Sequence, residues 1–319
     1  MIAFVNYGYM WRRKAGACGR DSCEVRTKPW YGQQRSSLYR GMMNLSMESK
    51  SAVEYTSLDG NSWLLQFGSK KVVFDPWLVD SLVFFSPWFY QGFKPLLEHF
   101  KLEDLGSCDL IVITQSLDDH LHRPTLRQMD KNIPVVATVD SIEILRDQLG
   151  FRNVVGLDHG EKVEMLDGEI TLHAFQGALT GPPWAKRQNG YKVTVNPANW
   201  SLWYEPHADS PPAELEQIRP VDAIVAPVVR TYLVPLNYSL VNGGVHCLET
   251  AQKLQARQFI VHKVHRNRHR GFLSKYLAEV GTEEEFRQVI SQRKGDMEVI
   301  DGPTGVSYPV AFYSSTVKT

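Results

Sequence analysis

Apolar residues in this chain fall into short runs, and the period of those runs changes along its length. Asp59-Gly60 is a turn signal. Two β-rich runs follow it, SWLLQFG (62–68) and VVFDPWL (72–78), separated by a Ser-Lys-Lys turn, and together they predict a hairpin. DLIVIT (109–114) is a continuous apolar run, as expected of a strand buried on both faces. HRPTLRQMDK (122–131) predicts a helix with Pro124 in its first turn. IPVVAT (133–138) reads as a strand, and SIEILRDQLG (141–150) as a helix ending at Gly150. NVVGL, KVEML, EITLHAF, YKVTV and SLWYEP continue as strands over 153–206, and Pro95 to Leu105 is amphipathic. AELEQI (213–218) is a helical turn before the strand VDAIVAPVV (221–229). LETAQKLQA (248–256) is a helix before RQFIVHKV (257–264). Thr282 to Arg293 predicts a last helix, with Thr282 as N-cap and Glu285 at the capping-box position. Strands first and helix–strand alternation later imply an α/β sandwich with helices outside. Residues 51–319 form one domain in this reading.

Charge removes one class of partner. Thirty-five Lys and Arg balance thirty-five Asp and Glu, so no global basic field draws in nucleic acid, and a small-molecule ligand is expected instead. The dense basic stretch His262–Arg270 reads as a solvated loop, with contact to an anionic ligand or phosphate as the alternative. Cys18, Cys23, Cys108 and Cys247 have neither disulfide-framework nor zinc-ribbon spacing, which suits a reducing compartment. No apolar run reaches the ~18 residues of a membrane-spanning helix. The most apolar stretch, Leu78–Phe93, is broken by Asp80, Ser86, Pro87 and Gln91 and reads as a hydrophobic flap. Its aromatics, Phe84, Phe85, Trp88, Phe89 and Tyr90, together with Trp77, are expected in the core, with an apolar pocket for a lipid-like or pigment-like substrate as the alternative. No helix face stands out as an oligomer interface. Residues 1–50 hold nine Lys/Arg against three Asp/Glu, a balance that resembles organelle transit peptides. A chloroplast or mitochondrial destination is the expectation from it, with the cytoplasm as the alternative.

The chemistry concentrates at the end of the DLIVIT strand, where IVITQSLDDHLH (111–122) passes into a polar loop carrying Asp118, Asp119, His120 and His122. Sites on α/β folds collect at such strand ends. Thr114, Asp119 and His120 match the metallo-β-lactamase superfamily motif Thr-His-x-His-x-Asp-His, with Gln115 and Leu117 in place of its leading histidines. The opening hairpin, ending at Asp75-Pro76-Trp77, resembles the UlaG-like branch of that superfamily, and the resemblance covers about residues 55–275. It implies a four-layer αββα fold.

In that family two metals are held by the motif histidines, a later histidine, a bridging aspartate and a last histidine. The resemblance leaves the first metal without ligands, since Gln115 and Leu117 carry no imidazole and Gly177–Leu179 stand where the third histidine is expected. Glu205 and His207 fall near the bridging position, and His262, or His265, near the last. The implied site holds at most one divalent ion, zinc, manganese or iron, on Asp119, His120, His207 and His262, or none. Asp119 and His120 are the candidate catalytic pair, and Gln115, Glu205, Trp184 and Lys186 are candidate substrate contacts. Two functions follow: a hydrolase of an ester, amide, lactone or phosphodiester, or an inactive member that binds a ligand in the same pocket. A plainer role for Asp119 and His120 is to cap the following helix and pair with each other or with a nearby Arg.

Overall fold

The structure, a computed structural model, describes residues 50–180, 184–264, 267–292 and 297–314. Most of the expected leader (1–49), His265 and residues 181–183, which lead into Trp184, lie outside the described residues.

The chain opens with β1 (Lys50–Ser57), β2 (Trp63–Phe67), β3 (Lys70–Phe74), β4 (Leu82–Phe84), β5 (Tyr90–Phe93) and β6 (Leu110–Ile113). Next come α1 (Arg123–Gln128), β7 (Val135–Thr138), β8 (Val154–Leu157), β9 (Lys162–Met165), β10 (Ile170–Gln176), β11 (Asn189–Val195) and β12 (Trp200–Tyr204). α2 (Pro212–Ile218), β13 (Ala223–Pro227), β14 (Arg230–Leu233), β15 (Tyr238–Val241), α3 (Val245–Lys253) and β16 (Gln258–His262) follow. The chain closes with β17 (Arg268–Arg270), β18 (Leu277–Val280), α4 (Glu283–Gln292), β19 (Glu298–Ile300) and β20 (Tyr308–Ser314).

Two seven-stranded sheets form the sandwich, in the orders β20-β1-β2-β3-β6-β7-β8 and β19-β16-β13-β12-β11-β10-β9. Each is antiparallel at one side and parallel at the other, through β3-β6-β7-β8 and β12-β13-β16-β19. Strand periodicity sorts the side chains into layers. Val72 and Phe74 of β3, Leu110 and Val112 of β6, and Leu202 and Tyr204 of β12 enter the core between the sheets. Val73, Ile111 and Ile113 face outward, under Leu121 and Leu126 around α1. Trp203, Ile224 and Phe259 face the opposite way, under Leu215, Leu248 and Phe286 of α2, α3 and α4. This is the α/β sandwich with outer helices that the patterning implied, in the four-layer αββα form that the resemblance implied.

Three local expectations need correction. The helix expected over 141–150 is a short 3₁₀ turn, Val139–Ser141, leading into a π-wound stretch, Ile144–Gln148. Leu149 N donates to Ile144 O, and the wider winding keeps Leu145 on the core. The flap is a β4–β5 hairpin joined by β17, so the basic stretch expected as a loop supplies a strand. A second small sheet, β15-β14-β18, arises from residues to which the sequence reading gave no strand. Thr282 does cap α4, with Glu285 N donating to its Oγ1 at 3.1 Å.

Candidate functional site

Carboxyl ends of parallel strands meet at one edge of the sandwich, where α/β folds gather ligands. β3 passes into Asp75, β6 into Thr114, β12 into Glu205 and His207, and β16 ends on His262. Asp75 takes a left-handed φ of 43°, a conformation that Asp tolerates better than most residues. Its buried carboxylate accepts from Thr114 N (2.8 Å), Thr114 Oγ1 (2.6 Å) and His120 Nδ1 (2.8 Å). A turn closed by His120 N to Leu117 O delivers the imidazole to it.

A carboxylate only accepts, so Nδ1 of His120 carries a proton, and the neutral ring, the form that could bind an ion, turns its Nε2 lone pair the other way. That Nε2 lies 3.3 Å from His207 Nε2 and 3.4 Å from Asp119 Oδ2. His207 Nδ1 donates to the Leu240 carbonyl at 2.6 Å, so its Nε2 also turns a lone pair inward. Two imidazole lone pairs and a carboxylate oxygen therefore converge, and such a set demands a proton or a cation among its members. Asn61 meets part of that demand: its Nδ2 donates to His120 Nε2 at 3.0 Å and to Asp119 Oδ2 at 3.3 Å.

Electrostatics follow from this crowding. Burial pulls the His120 imidazole down, but the carboxylates of Asp119 and Asp75 together outweigh it and push it up to about 10. Burial raises Asp119, yet His120 and His207 bring its net shift below the ordinary carboxylate range. Asp119 Oδ1 is buried and accepts no hydrogen bond among the described residues.

The donors fit an ion in kind. Bonds of about 2.0–2.1 Å at tetrahedral angles place neighbouring ligand atoms roughly 3.3 Å apart, close to both separations measured here. Each histidine also has its other nitrogen fixed by an oxygen, the support that metal-ligating imidazoles receive. Among the described residues no group of three or more His, Cys, Asp or Glu side chains is placed to hold a metal ion as it stands.

Asn61, Asp119 and His207 form the polar end of a cavity of about 600 Å³, whose walls include Trp77, Leu82, Phe84, Leu179, Leu273 and Leu277. The sequence-predicted residues divide around it. Asp119, His120 and His207 come together. His262 is buried against the Tyr55 hydroxyl (3.1 Å) and the edge of the Tyr204 ring, and does not line the cavity. Gln115 is fully buried, with neither amide atom hydrogen-bonded among the described residues. Leu117 lines the cavity and is 40% exposed. Glu205 is held at the loop behind the cavity, accepting from His207 N (3.1 Å) and Asp209 N (2.6 Å). Burial raises its carboxyl. Trp184 is 85% exposed, and Lys186 is ion-paired with Asp158. Asp119 and His120 do not cap α1, whose N-cap is His122 with no side-chain cap bond; Asp118 is the partner of Arg123.

Sequence reasoning missed Asn61 and the roles of Asp75 and the Leu240 carbonyl. Asp75 stood in a noted Asp-Pro-Trp motif, and Asn61 followed a noted turn. Only the fold brings Leu240 to His207.

Comparison with known proteins adds a family and a set of folds. The family described as a β-lactamase superfamily domain matches residues 54–263. Cytidine monophosphate-N-acetylneuraminic acid hydroxylase of Cricetulus griseus is 38% identical over 84 residues, 26% of this chain. The chain spans only 14% of that relative's length. The isothiocyanate hydrolase from Delia radicum gut bacteria superposes with a TM-score of 0.59 at 14% identity, over 81% of this chain and 99% of that one. CmlA, a diiron β-hydroxylase from Streptomyces venezuelae, superposes with a TM-score of 0.55 at 15% identity, over 82% of this chain and 54% of that one.

Proposed function

The chain belongs to the β-lactamase superfamily, and from that membership we propose that it is a UlaG-like hydrolase using at most one divalent ion. Asp119, His120 and His207 would hold the ion, whether zinc, manganese or iron. The observation that carries this reading is the 3.3 Å approach of two imidazole Nε2 atoms whose opposite nitrogens are already committed to oxygens. A second ion, as in the diiron neighbour, is not part of the proposal, because Gln115 and Leu117 offer no imidazole.

When bound, the ion supplies Lewis acidity, polarising a carbonyl or phosphoryl oxygen and making water a stronger acid. The protein does the rest. Asp75 and the Leu240 carbonyl fix the two imidazoles, so no reorganisation accompanies the reaction. Asp119 stays ionised, and its carboxylate, at the polar end of the cavity, would orient a water there and take its proton. Asn61 sets the carboxylate's angle through Oδ2. The apolar walls limit competing water and seat the part of the substrate that does not react. An ester, amide, lactone or phosphodiester suits this arrangement.

A second reading, an inactive member that binds a ligand, draws support from Asn61. Its amide bridges Asp119 Oδ2 and His120 Nε2, the atoms that an ion would occupy. Metal analysis of protein purified without chelators, run beside hydrolysis of a panel of chromogenic esters, amides, lactones and phosphodiesters, separates the two. Stoichiometric metal, lost with activity in His120→Ala, supports the hydrolase. Metal-free, inactive protein with an unchanged melting curve supports the binder and overturns the hydrolase.

A further inference from the structure

Two segments carry an apolar face inward and an aromatic face outward. Leu82, Phe84 and Tyr90 of the β4–β5 hairpin line the cavity, while Phe85 and Trp88 of the same hairpin stand 96% and 73% exposed. Across from it, Leu273 and Leu277 line the cavity, while Phe272 and Tyr276 are exposed. The two segments are bound together: Phe272 N donates to Trp88 O and Leu273 N to Phe89 O, both at 2.9 Å. Trp88 stacks on Phe272 at 5.6 Å between centroids, and Phe272 meets Tyr276 edge-on at 5.2 Å. The rim of the cavity is therefore a pinned cluster of exposed aromatic rings. Beside it, the exposed strand Arg268–Arg270 carries two guanidinium groups: Arg268 faces Glu98 at 3.7 Å, and Arg270 lies over the ring of Phe93 at 5.1 Å as the uncompensated charge of the pair among the described residues.

Such a combination is poorly matched to water. Exposed Trp, Tyr and Phe prefer the headgroup level of a bilayer, and neighbouring Arg and Lys attract anionic lipid. The space behind the tip is suited to what a bilayer contains. At interior packing density of ~0.75, a cavity of about 600 Å³ accommodates roughly 25 non-hydrogen atoms, the size of one long acyl chain with a small head. The hydrolytic residues Asp119 and His207 lie at its polar end.

We propose that the Phe85–Trp88–Phe272 tip rests on an anionic phospholipid surface and that the cavity draws from it a long-chain acyl ester or amide. The substrate class rests on the hydrolase reading above; the docking surface does not. The acyl chain lies along Leu82, Phe84, Leu273 and Leu277, which leaves the bond to be cleaved beside Asp119.

Co-sedimentation of the full chain with phosphatidylcholine vesicles, with and without an anionic phospholipid, tests the surface. The wild type is expected to sediment, more strongly with the anionic lipid. Phe85→Ser/Trp88→Ser, at exposed positions that leave the melting curve in place, is expected to lose at least about tenfold in partitioning, equivalent to about 1.4 kcal/mol. Equal sedimentation of both proteins overturns the surface. So does a wild-type dimer in light scattering that the double variant abolishes without any vesicle binding, since the tip then joins protein to protein. For the cavity, a fluorescent monoacylglycerol analogue below its aggregation threshold is expected to bind the wild type and to be excluded by Leu277→Trp. Binding that survives this substitution, or no binding to the wild type, overturns the acyl-chain assignment. Because both readouts are binding, they stand if His120→Ala shows that no metal-dependent hydrolysis occurs.

Discussion

Asp75 Oδ2 and His120 Nδ1 lie 2.8 Å apart, both shut off from solvent, and that contact decides which nitrogen of His120 faces the cavity side. Asp75→Asn replaces an acceptor-only group with one that also donates, so at least one of the donors on Asp75, which include Thr114 N, Thr114 Oγ1 and His120 Nδ1, loses its partner. A loss of about 2–4 kcal/mol in urea-denaturation stability is expected. Metal affinity is expected to fall about 10–100-fold, because the imidazole is no longer held by a carboxylate. Equilibrium unfolding and competitive chelator titration check the two effects separately.

Lys94 gives the molecule a pH dependence that can be isolated. Its amine is buried, donating to Ser62 Oγ (2.9 Å) and Trp77 O (2.6 Å). Burial lowers it from 10.5 to about 7, against an opposing pull from Asp59. A depressed folded-state value favours folding above the unfolded value. That advantage is lost as pH falls from about 10.5 toward 7 and levels off below. Relative to Lys94→Met, the wild type should therefore gain stability as pH rises across this window. Denaturation midpoints of the two proteins across that range measure the slope, and parallel curves would contradict it.

Gly190 marks a tight contact beneath the site. A Cβ there would stand 2.3 Å from Trp203 Cη2 and 3.1 Å from Glu205 Cγ. Gly190→Ala is expected to cost about 1–3 kcal/mol by overpacking. Because Glu205 accepts from His207 N, the same change should shift the His207 ring resonances in an NMR spectrum.

Particular residues explain how much of this was legible in the sequence. The runs VVFDPWL and DLIVIT predicted buried strands because β3 and β6 are covered on both faces, and covered strands read as unbroken apolar runs. Asp119 and His120 were legible as candidates because they follow a strand end, and His207 because the family resemblance set a bridging ligand near it. Asn61 was not, since an Asn after a turn has an ordinary local explanation and its contact with His120 spans 59 positions. The flap aromatics divided in a way composition cannot express: Trp77 and Phe84 line the cavity while Phe85 and Trp88 face out. Strands β14, β15 and β18 escaped because their half-exposed sequences lack a clear period-two pattern.

The pairing of His120 with His207 is the centre of the functional reading, and X-ray absorption at the metal edge tests it most directly. With one equivalent of zinc added to metal-free protein, the spectrum should contain two imidazole scatterers at about 2.0 Å. His207→Ala should remove one of them. A zinc spectrum with only water-like oxygen scatterers, or one unchanged by His207→Ala, would contradict the site.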